Sequence, residues 1–397
     1  MVDLSAIPVI DQHAHNLLRP EHARTFAYPS AFTEGYAAEI VTHHARETIF
    51  FRRSMRQIAA LLGCEPTLES ILETRERLGF EEVARRCFAA AGLQAILLDD
   101  GFMPDQVMPT AWHNRFAPVY RLLRAEFVAE RRIAEAPTWS AFEEAFRSDL
   151  EAIDPEVVGY KTIVAYRTGL AIESPDPEAA QAAFRALRQQ AEWGERLRLA
   201  HKPLNDWVVW RTLEAAARRG LPVQFHTGFG DPDLDLRWAN PLHLRPLLEH
   251  PDFRRVPLVL LHASYPYTRE AGYLAAVYPH AYVDLGLAIP FLSRAGMAFA
   301  VRAFLEMTPI SKILFSTDAH LIPELFYLGA HWGRRILSDV LEAAVADGDL
   351  TAMEAEAAAE AILCRNAQTL YALPDRSGGN SDATATDRCD HEGPSRP

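Results

Sequence analysis

Eight short runs of apolar, β-favouring residues recur along this chain, separated mostly by stretches of helical composition: Pro8–Asp11, Ala95–Leu98, Ala125–Val128, Val158–Val164, Pro222–Phe225, Pro257–Leu261, Ala281–Leu285 and Lys312–Phe315. Several are apolar without alternation, the pattern of strands covered on both faces. The segments between them, such as Glu178–Leu199, Asp206–Arg219 and Met297–Met307, are rich in Ala, Leu, Arg and Glu and read as helices. A strand-then-helix unit repeated eight times predicts an α/β fold, a parallel (β/α)8 barrel of the TIM type. An open doubly wound sheet is the alternative.

The 397 residues are then read as one barrel domain over 1–372, with a tail over 373–397. Residues 20–92, between the first two runs, are too many for a simple crossover. Two helical patterns there, Tyr36–Leu62 and Leu68–Ala91, predict a helical insertion able to roof the barrel mouth. From Asp375 onward the chain is rich in Ser, Thr, Asp, Gly and Pro with almost no large apolar side chains, a composition that cannot offset the entropy of ordering. The tail is expected to be disordered.

With 53 acidic against 40 basic residues the formal charge is −13, and no Lys/Arg run exceeds a pair such as Arg52-Arg53 or Arg131-Arg132. Neither nucleic acid nor an anionic membrane is therefore an expected partner. No segment approaches about 18 uninterrupted apolar residues, and the first residues lack a basic stretch followed by an apolar one, so a cytoplasmic location is expected. The four cysteines, Cys64, Cys87, Cys364 and Cys389, form no CxxC pair and read as reduced thiols. Any metal would have to be held by histidine and carboxylate.

Histidine placement is where chemistry shows. The first run leads into His13-Ala-His15, and residues two apart on a strand face the same side. Three later runs also end on ligand-type residues: His226 after Pro222–Phe225, His262 after Pro257–Leu261, and Asp318 after Lys312–Phe315. Singly, each reads as a buried structural histidine or a helix-capping aspartate. Together they converge, because the C-terminal strand ends form the active-site face of a (β/α)8 barrel. His13, His15, His226 and Asp318 make a three-nitrogen, one-oxygen set suited to Zn, with Mn or Fe as alternatives, and solvent would complete an open site.

Lys161 interrupts the apolar fourth run, where an unpaired ammonium is costly. It either reaches out to a carboxylate or points into the site as a base, a cation or a carbamate. Arg167 can grip a substrate carboxylate with its planar fork, and Tyr166 and His320 are the other candidate substrate contacts. Trp112–Arg115 and Tyr265 are weaker loop candidates for the mouth. His43, His44, His201, His243, His250, His280 and His391 read mostly as surface groups.

His13-Ala-His15, Lys161, His226, His262 and Asp318, in this order on successive strands, resemble the amidohydrolase-2 branch of the metal-dependent amidohydrolase superfamily. More narrowly, Ile10–Leu18, Leu97–Gly101, Tyr160–Leu170 and Phe315–His320 are similar to the amidohydrolase domain that precedes glutamine synthetase in nodulin-type fusion proteins, over about residues 7–372. The resemblance implies a (β/α)8 barrel and a divalent metal held by His13, His15, His226 and Asp318. It implies that His262 lies beside the metal, as a ligand of a second ion or as the group polarising the scissile carbonyl, and that Lys161 stands near where binuclear members carry a carboxylated lysine. No glutamine synthetase domain is expected in this chain. The expected activity is hydrolysis of a C–N bond in a small carboxylate-bearing molecule, with Asp318 and His262 catalytic and a γ-glutamyl amide suggested by the fused relatives. A non-oxidative decarboxylase of an aromatic acid is the alternative. A binding protein without catalysis is disfavoured because the whole ligand set is present. The expected partner is a small-molecule substrate, with self-association left open.

Overall fold

The structure, a computed structural model, describes residues 4, 6–152, 154–194 and 197–374. The expected tail from residue 375 onward, with Cys389 and His391, lies outside the described residues.

Among the described residues, eight strands pair in parallel and in chain order. They are β1 (Val9–Ala14), β2 (Leu93–Asp99), β3 (Val119–Arg124), β4 (Val157–Thr162), β5 (Val223–Phe225), β6 (Leu258–Leu260), β7 (Ala281–Asp284) and β8 (Ile313–Leu314). The backbone N–H of Gln12 donates to Phe315 O at 3.3 Å, that of Asp318 to His13 O at 3.0 Å, and that of His15 to Ala319 O at 2.7 Å. These bonds join the first strand to the segment following the last, so the sheet curls on itself as a TIM barrel and the open-sheet alternative falls. Helices such as Pro177–Glu192 and Lys202–Arg219 cover the outside, which buries both faces of strands that the sequence shows as uninterrupted apolar runs.

The third strand differs from expectation. It is Val119–Arg124, and the expected run Ala125–Val128 opens a helix, Ala125–Glu135. Arg121 and Arg124 make this strand look like a loop in sequence. In the fold, Arg121 pairs with Asp100 and Asp154 at 2.7 Å each, and Arg124 pairs with Asp99 at 2.6 Å, so the charges are compensated where they are buried. The fourth strand is also shorter than the expected Val158–Val164. It ends at Thr162, and Val164–Tyr166 forms a 3-10 turn, which makes Lys161 its penultimate residue.

The stretch between β1 and β2 is helical as expected, but more broken. Thr48 and Thr67 cap the helices Ile49–Leu62 and Leu68–Leu78 by accepting from Phe51 N and Ser70 N. Gly79, at φ 79°, divides the expected Leu68–Ala91 helix in two, with Phe80–Ala91 following. Phe32, Phe50, Phe51, Ile58 and Phe88 of this insertion share a core with Phe326 of the long helix Glu324–Asp347. Arg75 forms an ion pair with the fully buried Glu324, and the Arg53 guanidinium, 4.7 Å from the Trp332 ring, donates to the carbonyls of Pro290 and Leu292. The insertion is thus fastened to the barrel by its apolar face and by two arginines.

Candidate active site

His13 lies on β1 and His15 one residue past its end, and both rings turn to the same side. Their Nε2 atoms lie 3.2 and 3.4 Å from Asp318 Oδ1. Asp318 Oδ2 faces Nδ1 of His262 at 3.9 Å, and that buried nitrogen has no hydrogen-bond partner among the described residues. His226 lies beside this group, its ring 4.4 Å from that of His262 and 4.3 Å from that of Tyr166, with Nε2 3.1 Å from the carbonyl of Phe229. Lys161 is 1 % exposed and its Nζ is 3.4 Å from His13 Nε2, so it reaches into the site and does not snorkel outward.

Two triads have donor atoms within 4.8 Å of one another among the described residues: His13, His262 and Asp318, and His13, His15 and Asp99. His226 stands adjacent to the first and outside both. Asp99 is committed elsewhere, since Arg124 Nε donates to its two carboxylate oxygens at 3.0 and 2.9 Å and Nη2 adds a bond of 2.6 Å. Its backbone carbonyl meets His15 Nδ1 at 3.1 Å; a carbonyl only accepts, so His15 carries its proton on Nδ1 and turns Nε2 to the site.

The electrostatics suit cation binding. Burial, aided by the neighbouring Lys161 ammonium, pushes His13 down to about 4, and burial drives His226 and His262 well below the ordinary imidazole value. Burial alone would raise Asp318, but His262, His13 and His15 outweigh it and hold the carboxyl well below its usual range. Burial pushes Lys161 down to about 8 against the pull of Asp99 and Asp318. The cluster therefore offers neutral imidazoles and a carboxylate, the states in which these groups ligate a metal. Together with the orphaned Nδ1 of His262, this donor set fits a divalent ion of the Zn, Mn or Fe type.

Backbone conformation places the last two groups. His262, Ala263 and Ser264 are consecutive left-handed residues, with φ of 65°, 51° and 47°, and Asp318 is left-handed as well, at 52°. Gly228 permits the turn after β6, because a Cβ there would come within 2.4 Å of the Ser264 carbonyl carbon.

A cavity of about 1100 Å³ opens over the cluster. Arg167, Tyr166 and His320, the expected substrate contacts, are among its lining residues. Arg167 is 15 % exposed, lies 3.7 Å from Glu130, and has an Nε without a partner among the described residues. The insertion supplies Ser30, Glu34 and Tyr36 to the wall, and Tyr36 Oη donates to Asp233 at 2.8 Å across the mouth. Glu34, raised to about 8 by burial and by the charges of Asp318 and Asp231, carried no signal in the sequence beyond its place in the insertion. Asp99 did carry one, since it too is a carboxylate closing a strand. Trp112–Arg115 and Tyr265 are not among the cavity's lining residues. His113 is buried and its Nε2 accepts from Leu17 N at 3.1 Å, a structural bond. His280, expected on the surface, is buried because it immediately precedes β7 at the strand's inner end.

A barrel with histidines, a lysine and an aspartate gathered at its strand ends has the architecture of metal-dependent amidohydrolases, and the family model described as Amidohydrolase matches residues 161–373. The chain belongs to the amidohydrolase family, in its amidohydrolase-2 branch. It is 35 % identical over 399 residues to Protein fluG of Emericella nidulans, an alignment covering 92 % of this chain and 46 % of that protein, so the chain spans about half of that relative's length. A Lactobacillus casei structure assigned by class as a metal-dependent hydrolase superposes with a TM-score of 0.80 at 28 % identity, covering 94 % of this chain and 98 % of the other. The uronate isomerase of Thermotoga maritima shares the fold alone, with a TM-score of 0.60 at 14 % identity over 92 % of this chain and 95 % of that one. Among the described residues no helix is long and apolar enough to cross a membrane.

Proposed function

We propose that this protein is a metal-dependent hydrolase that cleaves the C–N bond of a small carboxylate-bearing amide, a γ-glutamyl amide being the leading substrate class. The observation that carries the reading is the placement of Asp318, whose Oδ1 faces the imidazoles of β1 while Oδ2 faces the unpartnered Nδ1 of His262. His13, His15, His226 and Asp318 would hold the ion, with Zn the first choice. Such an ion supplies Lewis acidity, making water a nucleophile near neutral pH and polarising a carbonyl. Asp318 Oδ2 takes the proton of the attacking water as the C–O bond forms. It then delivers that proton to the amide nitrogen as the C–N bond breaks, so the products are a carboxylate and an amine. His262, outside that ligand set and carrying its proton on Nδ1, donates to the oxyanion that develops between these steps.

Arg167 is assigned to the substrate carboxylate. Its contact with Glu130, at 3.7 Å, is too long for a hydrogen bond, and its Nε is unpartnered, so the fork retains capacity for an anion. The test is incubation of the zinc-loaded protein with γ-glutamyl amides and with hydroxybenzoates, reading amine against carbon dioxide. Amine release is expected. Carbon dioxide without amine would replace the hydrolase with a decarboxylase. Arg167→Met should raise KM roughly tenfold or more while changing kcat less, because it removes binding common to ground and transition states. An unchanged KM would remove Arg167 from the carboxylate site.

A further inference from the structure

His13 and His15 are oriented by different means. A backbone carbonyl holds His15, whereas His13 Nδ1 lies 2.8 Å from the side-chain Oε1 of Gln224, and Gln224 belongs to a buried polar chain that crosses the barrel interior. Gln224 Nε2 is 2.7 Å from the backbone carbonyl of Gln12, 2.8 Å from Gln12 Oε1 and 2.7 Å from Tyr371 Oη. Tyr371 Oη donates to Gln12 Oε1 at 2.6 Å, and Gln12 Nε2 donates to Asp284 Oδ1 at 2.9 Å. Asp284 Oδ2 accepts from the backbone N–H groups of His262 at 3.1 Å and Gly286 at 2.9 Å.

The backbone anchors fix which way the amides of this chain face. The Gln12 carbonyl can only accept, so the Gln224 atom facing it is the amide nitrogen, and the atom facing His13 is the amide oxygen. An amide oxygen cannot donate. His13 must therefore carry its proton on Nδ1 and present a bare Nε2 to the cluster. At the other end, the N–H groups of His262 and Gly286 make Asp284 the acceptor, which fixes the Gln12 amide in the matching sense. One network thus sets the ring of His13 and the backbone of His262, two members of the same donor triad.

We propose that Gln224, held by Gln12 and Tyr371, is a positioning residue that fixes His13 as its Nδ1–H tautomer and so sets the affinity of the site for a divalent cation. The part concerning the cation rests on the metal-site reading above; the tautomer does not. Tyr371 follows the last helical segment, so the C-terminal end of the domain takes part in the metal site without touching it.

The experiment uses the full chain, 15N-labelled at histidine and freed of metal, with the His13 signals identified by their loss in His13→Asn. Two-bond 15N–1H spectra report the tautomer, and competition with a chelator reports Zn2+ affinity. The wild type is expected to show His13 protonated at Nδ1. Gln224→Leu should lose that pattern and weaken Zn2+ binding by about 10- to 100-fold, the usual effect of removing a group that orients a metal ligand. Gln224→Glu, which still accepts from Nδ1, should retain it. Tyr371→Phe leaves His13 its acceptor but frees the Gln224 amide, and gives a smaller loss of affinity should Gln224→Leu fail to fold. A His13 signal unchanged in Gln224→Leu, with Zn2+ affinity within about twofold of wild type, would overturn the proposal. A wild type that binds no Zn2+ yet shows the Nδ1–H form would overturn the metal reading and leave the tautomer standing.

Discussion

The donor cluster has two halves that are held by opposite backbone means. His13 sits on β1 and His15 one residue beyond it, and neither needs the left-handed conformation to bring its ring to the shared side. His262 and Asp318 lie just past β6 and β8 with φ of 65° and 52°, a region that costs a non-glycine residue roughly 1–2 kcal/mol. The first half follows the ordinary path of a strand and its continuation. The second is imposed by tertiary structure: Asp284 grips the His262 N–H at 3.1 Å, the Asp318 N–H is tied to His13 O at 3.0 Å, and Gly228 leaves room for the turn. Regular structure thus delivers half of the site, and the remainder depends on contacts that stabilise an unfavourable backbone.

The largest effect that bears on this contrast is expected at Asp318, where the two halves meet. With Asp318 Oδ2 as the proposed proton acceptor, Asp318→Asn should lower kcat roughly a thousandfold, with the circular dichroism spectrum unchanged. A loss of less than about tenfold would show that the proton goes elsewhere. Gly228→Ala comes next. A Cβ placed 2.4 Å from the Ser264 carbonyl carbon must displace the left-handed turn, so urea unfolding should show destabilisation of about 2–3 kcal/mol together with reduced turnover. Stability equal to wild type would mean that the turn is not braced by that glycine.

The strand half is sharpened by pH. Burial holds His13 near 4 against 6.5 in a free chain, so between those values the unfolded state binds a proton that the folded state does not. His13 therefore favours the fold above pH 6.5 and loses that contribution as pH falls toward 4. In chelator, the unfolding free energy of wild type relative to His13→Gln should decline over this window. A difference that does not vary with pH would show that His13 is not buried as a neutral ring. The smallest effect is at Ala263, φ 51°. Ala263→Gly relieves left-handed strain but adds unfolded-state entropy, for a net stabilisation of about 0.5 kcal/mol by thermal unfolding. Destabilisation beyond about 1 kcal/mol would show that the methyl packing outweighs the strain.

The same contrast separates what could be read in the sequence from what could not. His13-Ala-His15 is legible because alternation is a local rule, and the barrel is legible because eight apolar runs recur with helices between them. His226, His262 and Asp318 are found because each follows such a run within three residues. Their backbone geometry is not legible, because nothing in His262-Ala-Ser264 resembles the Gly or Asn that usually marks a left-handed turn. Val119–Arg124 was missed because Arg121 and Arg124 find their carboxylates on other segments, which no local pattern encodes. Gln224 carries no local signal inside Val-Gln-Phe, since the partners that give it meaning, Gln12 and Tyr371, are 212 and 147 residues away.

The part of the cavity wall that the insertion supplies and the later members of the donor cluster come from different stretches of chain. Ser30, Glu34 and Tyr36 belong to the segment between β1 and β2, whereas His226, His262 and Asp318 stand at strand ends much further along. Part of what the pocket admits is therefore written apart from what it does to its occupant. Drift in the roof can recruit new molecules to an old reaction without disturbing the atoms that carry it out.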